Sequence, residues 1–419
     1  MCSSDLEQLE QQTPAIEKLQ GQTATLESRE KQAAQRDLEL ENAHDSLNDS
    51  VDAQQRNSPW LPAPLKELFT PSGNNATPLS IYSDMATGYN LFNQNRGAGQ
   101  FSFQQFSPYF LIQLNKRILL SAQPSFTPAG VGLVQAQLDI FINDWLTADV
   151  GYFLAPIGFW SERLDPSWIN KLPDAPLVMR QVIPDNLTVS GLQFRGAKYL
   201  FGSPIKMEYA IFASNGLGVP GGGKQPAWAN LGQLSGTTST VNNAAAYGGR
   251  IGFWIPTHGI NFGVSELVNA PYSKTDGAVV SIWQPYFNYH RGNWDFRFEY
   301  GNNYEYTKSF IGDNIDRRGF YTQLAYRDYQ SLKKHKQRLE YVFRYSETTF
   351  NGINQAGAAA NANLFGTPMN VPVDRNQYTI GINYYLYAST VLKFAYEINS
   401  EVHQSLNDNL FMVQFATNF

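Results

Sequence analysis

The sequence predicts an all-β transmembrane barrel of about sixteen antiparallel strands, preceded by an N-terminal α-helical coiled-coil segment. Aromatic residues make up 14% of the 419 residues and charged residues only 16%, whereas average chains carry roughly 25% charged residues. No apolar run approaches the length of about 18 residues that a transmembrane helix requires. From residue 79 onward the hydrophobic pattern has a period of two, which is the period of β-strands. Together these features fit a barrel whose apolar outer face is diluted by a polar lumen.

The segment 1–56 differs in composition from the rest of the chain, because it is rich in Glu, Gln, Asp, Ala and Leu. Leucine or alanine recurs at intervals of seven, at Leu19, Leu26, Ala33, Leu40 and Leu47. This weak heptad pattern predicts a periplasmic coiled coil, and a solvated or disordered spacer is the alternative. The stretch 57–78 is rich in proline and glycine, which indicates a linker. The barrel is therefore expected at 79–419.

The single cysteine, Cys2, excludes an intrachain disulfide. No export signal precedes it, so either a signal peptide has been removed or the chain is cytoplasmic. Because a barrel must be exported to reach its membrane, we expect a mature form with an added Met1. Cys2 followed by Ser3 and Ser4 then resembles the acylated N-terminus of a bacterial lipoprotein. An incidental cysteine is the alternative.

Sixteen candidate strands follow from the alternation. They are expected at 79–91, 105–114, 118–126, 131–142, 147–155, 189–199, 205–213, 244–255, 258–268, 278–290, 293–305, 316–328, 336–347, 375–386, 389–399 and 408–419. Most connections after even-numbered strands are short and most of those after odd-numbered strands are long, with 127–130 and 329–335 as exceptions. Membrane barrels have short periplasmic turns and long outer loops, so this segregation favours a membrane barrel over a soluble sandwich.

Charged residues share one face of several strands. In the stretch 294–300 the aromatic side chains point one way and Asp295, Arg297 and Glu299 the other. A charged side chain that faces lipid costs about 2–4 kcal/mol at the bilayer midplane, so these charges are expected to face a wet lumen. Sixteen strands enclose a lumen wide enough for an aqueous channel.

Three stretches resemble known outer-membrane proteins. The last strand ends the chain on Phe419, as the closing strand of bacterial outer-membrane barrels does. The stretch 151–163 reads GYFLAPIGFWSER and is similar to the G-F-x-x-P-x-G strand end of the phosphate-selective porin family. The stretch 190–196 reads SGLQFRG and is similar to that family's G-x-Q-x-x-G strand. The resemblance covers about residues 79–419, and an N-terminal coiled coil is also frequent in the family.

The resemblance implies a passive channel of sixteen strands, expected to be a homotrimer in the outer membrane of a Gram-negative bacterium. In general porins the third outer loop folds into the channel, which here corresponds to 156–188. Five prolines stiffen this loop, so we expect a fixed obstacle rather than a flexible lid. Its charged residues are the predicted pore constriction: Glu162, Arg163, Asp165, Lys171, Asp174, Arg180 and Asp185.

The predicted pore lining carries both signs of charge. It comprises Arg195, Lys206, Glu208, Arg250, Asp295, Arg297, Glu299, Arg338, Glu340, Arg344, Lys393 and Glu397. Phosphate-selective members of the family have a dense ladder of Arg and Lys, whereas a mixed lining predicts weak selectivity and passage of small polar solutes or ions. The alternative for each charged residue is a structural role in a cross-strand ion pair, which stabilises the barrel by roughly 0.2–1 kcal/mol. We expect Arg163, Arg180 and Arg195 to contribute most to pore function.

Other function classes have less support. None of the five His residues lies on a strand beside an obvious Ser or Asp partner, so no catalytic residues are predicted and an enzyme is not expected. No His or Cys cluster has metal-ligand spacing, and no cofactor is expected. The net charge of −5 argues weakly against nucleic acid as a partner. The alternatives kept open are an anion- or phosphate-selective porin and a non-conducting structural or adhesive barrel tethered by its coiled coil.

Overall fold

The structure is a computed structural model that describes most of the predicted barrel. The described residues are 79–92, 99–128, 130–183, 187–200, 203–218, 235–236, 245–269, 279–306, 315–327, 339–352, 373–387, 389–402, 406 and 408–418. The predicted coiled coil at 1–56, the linker at 57–78, Cys2, Asp185 and Arg338 lie outside these residues and stay predictions. Within the described ranges no helix is long and apolar enough to cross a membrane.

Sixteen described strands close into one antiparallel barrel. They are β1 Leu79–Phe92, β2 Gln100–Asn115, β3 Ile118–Thr127, β4 Gly130–Asn143, β5 Leu146–Leu154, β6 Thr188–Tyr199, β7 Lys206–Asn215, β8 Ala245–Ile255, β9 Ile260–Asn269, β10 Val279–Arg291, β11 Trp294–Tyr306, β12 Ile315–Arg327, β13 Leu339–Asn351, β14 Arg375–Tyr387, β15 Thr390–Glu401 and β16 Leu410–Asn418. The barrel closes between β1 and β16, where Asp84 lies opposite Asn418 and Leu91 opposite Phe411. Closure gives each of these sixteen strands a partner on both sides, so the described barrel sheet has no unpaired edge.

The predicted fold class is confirmed as a closed antiparallel barrel of sixteen strands. Every expected strand is present, and the largest difference is at β2, which begins at Gln100 rather than at 105. The pairing of β1 with β2 shifts register between Ala86 and Thr87 and then resumes up to Gln100. Such a bulge interrupts the period of two, which explains why the alternation placed the start of this strand too late.

The short connections after even-numbered strands define what we call the turn end of the barrel, and the opposite rim is the loop end. The hairpin between β10 and β11 turns on Gly292 and Asn293, and Gly292 has a φ of 58°. A two-residue hairpin of matching twist requires positive φ, which glycine adopts without steric cost. A further pair of two-residue strands, Leu217–Gly218 and Ser235–Gly236, lies outside the barrel sheet.

The two faces of each strand have opposite character. On β13, Glu340 and Arg344 are buried inside the barrel, whereas Tyr341 and Phe343 on the outer face are 53% and 44% exposed. Large exposed apolar side chains recur on the outer faces of most other strands. An apolar outer belt around a polar interior is the pattern of transmembrane barrels.

The connection between β5 and β6, residues 155–187, is called the third loop, and the structure describes 155–183 and 187 of it. It contains two short helices, α1 at Trp160–Arg163 and α2 at Leu177–Gln181. The loop turns into the barrel and packs its apolar side chains against inward-facing wall residues. The resulting core includes Phe153, Ile157, Trp160, Leu164, Val178, Met179, Val182, Ile183, Phe212, Leu267, Ile282 and Tyr321.

Candidate functional site

The entry to the third loop is fixed through its backbone. Gly158 donates its N–H to Ser265 Oγ at 2.7 Å, and its carbonyl accepts a hydrogen bond from Arg250 at 2.9 Å. The N–H of Phe159 donates to the Glu299 carboxylate at 2.9 Å. The loop is thereby held against β8, β9 and β11, on the side of the barrel opposite to β1–β4.

The middle of the third loop reaches toward the turn end. The N–H and hydroxyl of Ser167 donate to the Asp84 carboxylate at 3.1 and 2.5 Å, and Lys393 donates to the Ser167 carbonyl at 2.5 Å. The Lys171 ammonium forms an ion pair with Glu340. Lys393 and Glu340 lie near the turn end of β15 and β13, so the loop descends through about half of the barrel or more before it returns.

The returning part of the third loop begins at Asp174. Arg344 donates to the Asp174 carboxylate at 2.7 Å, and Arg180 approaches the second carboxylate oxygen to 3.5 Å. Burial opposes ionisation of this carboxyl group, but the guanidinium of Arg344 and the charge of Arg180 hold the pKa of Asp174 below its ordinary value. Asp174 therefore stays ionised and ties the loop to β13.

Helix α2 then packs against β11–β13. Thr348 donates to the Gln181 side-chain oxygen at 2.9 Å, and Asn303 donates to the Val182 carbonyl at 3.1 Å. Val182 and the adjacent Ile183 are buried against the wall. Full burial of one such aliphatic side chain contributes about 1.5–3 kcal/mol. We call the part of the loop before Ser167 the descending arm and the part from Asp174 onward the returning arm. Apolar packing and hydrogen bonds on both arms hold the third loop as a rigid partition of the lumen.

A cavity of about 500 Å³ separates the third loop from the wall formed by β1–β6. The wall contributes mostly hydroxyl and amide groups, whereas the loop contributes α1 and the residues that follow it. The lining consists of Tyr82, Ser83, Asp84, Gln105, Ser107, Tyr109, Gln123, Ser125, Val134, Gln135, Gln137, Phe153, Leu154, Ser161, Glu162, Arg163, Asp165, Pro166, Trp168, Ile169, Gln193, Arg195 and Asn418. We call this space the lateral cavity.

Glu162 is the central charge at the lateral cavity. Its Oε2 lies 2.5 Å from Arg250 Nη1, and its Oε1 lies 3.5 Å from Arg195 Nη1. Burial raises the pKa of this carboxyl group, but the guanidinium groups of Arg250, Arg163 and Arg195 outweigh burial and hold the pKa of Glu162 below its ordinary value. Glu162 is therefore a carboxylate across the ordinary pH range and is surrounded by positive charge.

The two arginines that line the lateral cavity are neutralised in turn. Arg163 binds Glu208 at 2.7 Å, and its guanidinium lies 5.0 Å from the centre of the Phe159 ring. Arg195 binds Asp149 at 2.7 Å through Nε, in addition to its contact with Glu162. Positive and negative groups thus alternate around the cavity rather than forming a ring of one sign.

The structure brings only four of the predicted constriction and lining residues to the lateral cavity: Glu162, Arg163, Asp165 and Arg195. Most of the others take part in contacts between the loop and the wall or within the wall. These are Lys171, Asp174, Arg180, Glu208, Arg250, Asp295, Arg297, Glu299, Glu340, Arg344, Lys393 and Glu397. Lys206 lies beside the ring of Trp254, 5.5 Å from its centre. The described residues include no group of His, Cys, Asp and Glu that could hold a metal ion.

Charge-based reasoning missed the neutral wall of the lateral cavity. The missed residues are Tyr82, Gln105, Ser107, Tyr109, Gln123, Ser125, Gln135, Gln137 and Gln193. A signal was present in the sequence, because Gln or Ser recurs two positions apart on β2, β3 and β4, at Gln105 and Ser107, Gln123 and Ser125, and Gln135 and Gln137. Residues two apart on a strand share a face, so a search for neutral polar pairs would have found this wall.

Comparisons with known proteins identify the fold. No protein-family model matches the sequence, and no curated protein is significantly similar to it. Among solved structures, an anion-selective porin from Comamonas acidovorans matches with a TM-score of 0.54 at 10% identity, over 81% of this chain and 98% of that one. Salmonella typhi OmpF, solved with daunomycin, matches with a TM-score of 0.54 at 11% identity, over 81% and 97% of the two chains.

The outer-membrane channel DcaP of Acinetobacter baumannii also matches, with a TM-score of 0.52 at 9% identity, over 81% of this chain and 97% of that one. At such low identity the likeness concerns the fold. The sixteen-stranded barrel of this chain is therefore similar in fold to these porin and channel structures.

Proposed function

We propose that this chain is a passive outer-membrane channel for small hydrophilic solutes or ions, with the third loop as its constriction. The observation that carries the proposal is the inward path of the loop, which contacts β1 and β6–β16 and leaves the polar lateral cavity beside β1–β6. A water-filled passage requires polar lining, and the wall supplies it with amide and hydroxyl groups. The shared fold with solved porins and channels supports the same function.

The constriction is proposed to be static. Its descending arm is held by Gly158, its middle by Ser167 and Lys171, and its return by Asp174 and α2. Because these anchors lie on many different strands, displacement of the loop would break several buried contacts together. The channel is therefore expected to conduct without voltage-driven closure of this loop.

The paired charges favour weak ion selectivity. Strong selectivity arises from groups of one sign that line a narrow passage. Here Glu162, Arg163 and Arg195 each have an oppositely charged partner, so their fields largely cancel. We expect a reversal potential near zero in a salt gradient.

An anion-selective channel is the second candidate, and one observation favours it. The side chains of Arg163 and Arg195 are 34% and 39% exposed, whereas those of Glu162 and Glu208 are 17% and 14% exposed. If the exposed guanidinium groups dominate the field in the passage, the channel will pass anions preferentially. Preference for phosphate in particular would need more unpaired cations than the described lining contains.

The location and assembly of the protein are part of the same proposal. We infer an outer-membrane location from the apolar outer belt and the barrel fold, with outer-membrane lipid around the barrel. A homotrimer, a periplasmic coiled coil at 1–56 and acylation of Cys2 remain predictions from the sequence. A monomer of native mass in mild detergent would contradict the trimer.

Single-channel recording in a planar bilayer tests the proposed function. Discrete current steps from purified, folded protein are expected, with a reversal potential within a few millivolts of zero under a tenfold salt gradient. Strong anion selectivity would support the second candidate instead. Folded protein that gives no current steps would overturn the channel function and leave a structural or adhesive barrel as the remaining hypothesis.

A further inference from the structure

We propose that the lateral cavity binds a neutral sugar of one or two rings, so that the channel takes up such a solute in preference to ions of similar size. The inference rests on the channel function proposed above and adds the chemical class of solute that the constriction recognises. It follows from the amides, the aromatic rings and the paired charges that line the cavity.

The amides on the wall are oriented by carboxylates behind them. Gln193 donates through Nε2 to Asp149 at 2.9 Å, and Gln137 donates through Nε2 to Asp139 at 2.5 Å. In both pairs the amide nitrogen of the Gln faces a carboxyl oxygen of the Asp. Both carboxylates are buried and do not line the cavity, whereas both amides do. The amides therefore shield the cavity from the negative charges.

Hydroxyl groups complete the polar lining of this wall, where Ser107 Oγ lies 3.0 Å from Ser125 Oγ. The hydroxyl groups of Ser107, Ser125 and Tyr109, all on the same wall, can donate as well as accept. A molecule with many hydroxyl groups matches such a set better than one with a single charged group.

Aromatic rings line the same cavity. Tyr82 on β1 lies directly opposite Tyr109 on β2 in the strand register, and half of its surface is exposed. Trp168 of the third loop also lines the cavity, and it packs against Ala86 and Ala416 of the wall. Sugar rings have apolar C–H faces and hydroxyl groups at their edges. Flat aromatic surfaces beside a few fixed polar groups are a common composition of small-ligand sites.

The charges that line the cavity are already paired. Asp84 accepts hydrogen bonds from Ser167 at 2.5 Å and from Gln105 at 2.5 Å, and Arg163 is paired with Glu208. A charged solute would lose its hydration without an unpaired counter-charge to replace it, which is costly. The cavity volume of about 500 Å³ lies within the range of roughly 300–1,000 Å³ that small-ligand sites occupy. A neutral solute of one or two sugar rings therefore fits both the charge and the size.

The test measures ion current through single channels of the full chain in a planar bilayer while sugar is added. Glucose and maltose are the neutral probes, and gluconate and glucosamine are the charged probes of similar size. We expect the neutral sugars to reduce the current in a saturable manner at concentrations where gluconate and glucosamine have at most a tenth of the effect.

Three variants locate the binding. Tyr82→Ala and Gln123→Leu should each weaken the block by glucose about tenfold, because one removes an aromatic surface and the other a hydrogen-bonding group from the cavity. Tyr247→Ala is the control, because this tyrosine is 59% exposed on the barrel and does not line the cavity. Tyr247→Ala should leave both the current steps and their block by glucose unchanged.

The outcomes separate the two proposals. Current steps that sugars do not block, or a block that Tyr82→Ala and Gln123→Leu leave unchanged, would overturn the sugar site and leave the channel standing. A stronger block by gluconate than by glucose would show recognition of anions instead. Absence of current steps in the unmodified protein would overturn the channel and the sugar site together.

Discussion

Glu162 of the third loop and Arg250 of β8 form an ion pair with 2.5 Å between Oε2 and Nη1. Arg250 also donates to the Gly158 carbonyl, so one wall side chain binds the loop through both its backbone and its charge. The Arg250 side chain is only 6% exposed. Removal of one partner from such a buried ion pair leaves the buried charge of the other partner uncompensated. The pair therefore couples the position of the loop to the charge balance of the lateral cavity.

Neutralisation of Glu162 should make the channel anion-selective. In Glu162→Gln the guanidinium groups of Arg195 and Arg250 lose their shared carboxylate, so the cavity gains net positive charge. We expect the anion-to-cation permeability ratio to rise about threefold, measured from the reversal potential in a salt gradient. Glu266→Gln is the matched control, because Glu266 is exposed on β9 and is not part of the cavity lining. An unchanged ratio in Glu162→Gln would show that this carboxylate does not influence the passage.

The contribution of Glu162 to ion selectivity should persist in mild acid. The pKa values of Glu162 and Asp174 lie below their ordinary values, since nearby guanidinium groups outweigh the effect of burial. A carboxyl group of this kind stabilises the folded loop above its unfolded-state pKa, and the effect is lost as pH falls through the lower folded-state pKa. We therefore expect the difference in reversal potential between the unmodified protein and Glu162→Gln to stay constant from neutral pH through the ordinary carboxyl range near pH 4, and to disappear only below it. A transition centred at about pH 4.3, the unperturbed value for Glu, would contradict this expectation.

Gly158 should not tolerate a side chain. Its φ is 69°, and a Cβ atom there would lie 2.3 Å from Gln284 Nε2, so Gly158→Ala requires both backbone strain and displacement of a buried amide. We expect the loop entry to shift and the single-channel conductance to change by about twofold, with a backbone cost of about 1–3 kcal/mol. Gly132→Ala is the control, since a Cβ atom at Gly132 would meet nothing within 4 Å. Equal conductance of Gly158→Ala and the unmodified protein would argue against an anchoring role for this glycine.

Apolar packing of the returning arm should determine how firmly the loop is held. Ile183 is buried and approaches Gly301 on β11. Ile183→Ala should cost about 2–5 kcal/mol in the free energy that holds the loop to the wall, measured as faster amide hydrogen exchange and faster proteolysis within 155–183. Ile380→Ala, on the exposed outer face of β14, removes the same atoms without loosening the loop. If the two variants exchange at the same rate, packing at Ile183 is not what holds the loop.

The strands and their faces could be read from the sequence because they depend on local alternation. On β11 the inward positions Asp295, Arg297 and Glu299 and the outward aromatic residues follow from a period of two. The late start predicted for β2 shows where this reasoning fails. A bulge near Ala86 changes the register, and a bulge depends on the pairing of two strands rather than on one stretch of sequence.

The candidate site could be predicted only in part. The third loop was identified from its length, prolines and charges, and Glu162, Arg163 and Asp165 do line the lateral cavity. Arg180 was expected to contribute to the pore, but the structure places it beside Asp174 and not among the cavity lining. The neutral amides of β2–β4 were overlooked, because their importance appears only when the loop covers the opposite wall.

The sequence by itself determined the class of fold, the number and order of strands and the side of each strand that carries charge. These properties arise from contacts between neighbouring residues and neighbouring strands, and such contacts produce a regular alternation of polar and apolar residues in the sequence. Tertiary structure alone decided which charges are paired and which groups are left facing the cavity. Asp84 and Ser167 are 83 positions apart, and Lys171 and Glu340 are 169 apart. Such pairs form only because the loop returns through the closed barrel, and no local pattern in the sequence records them.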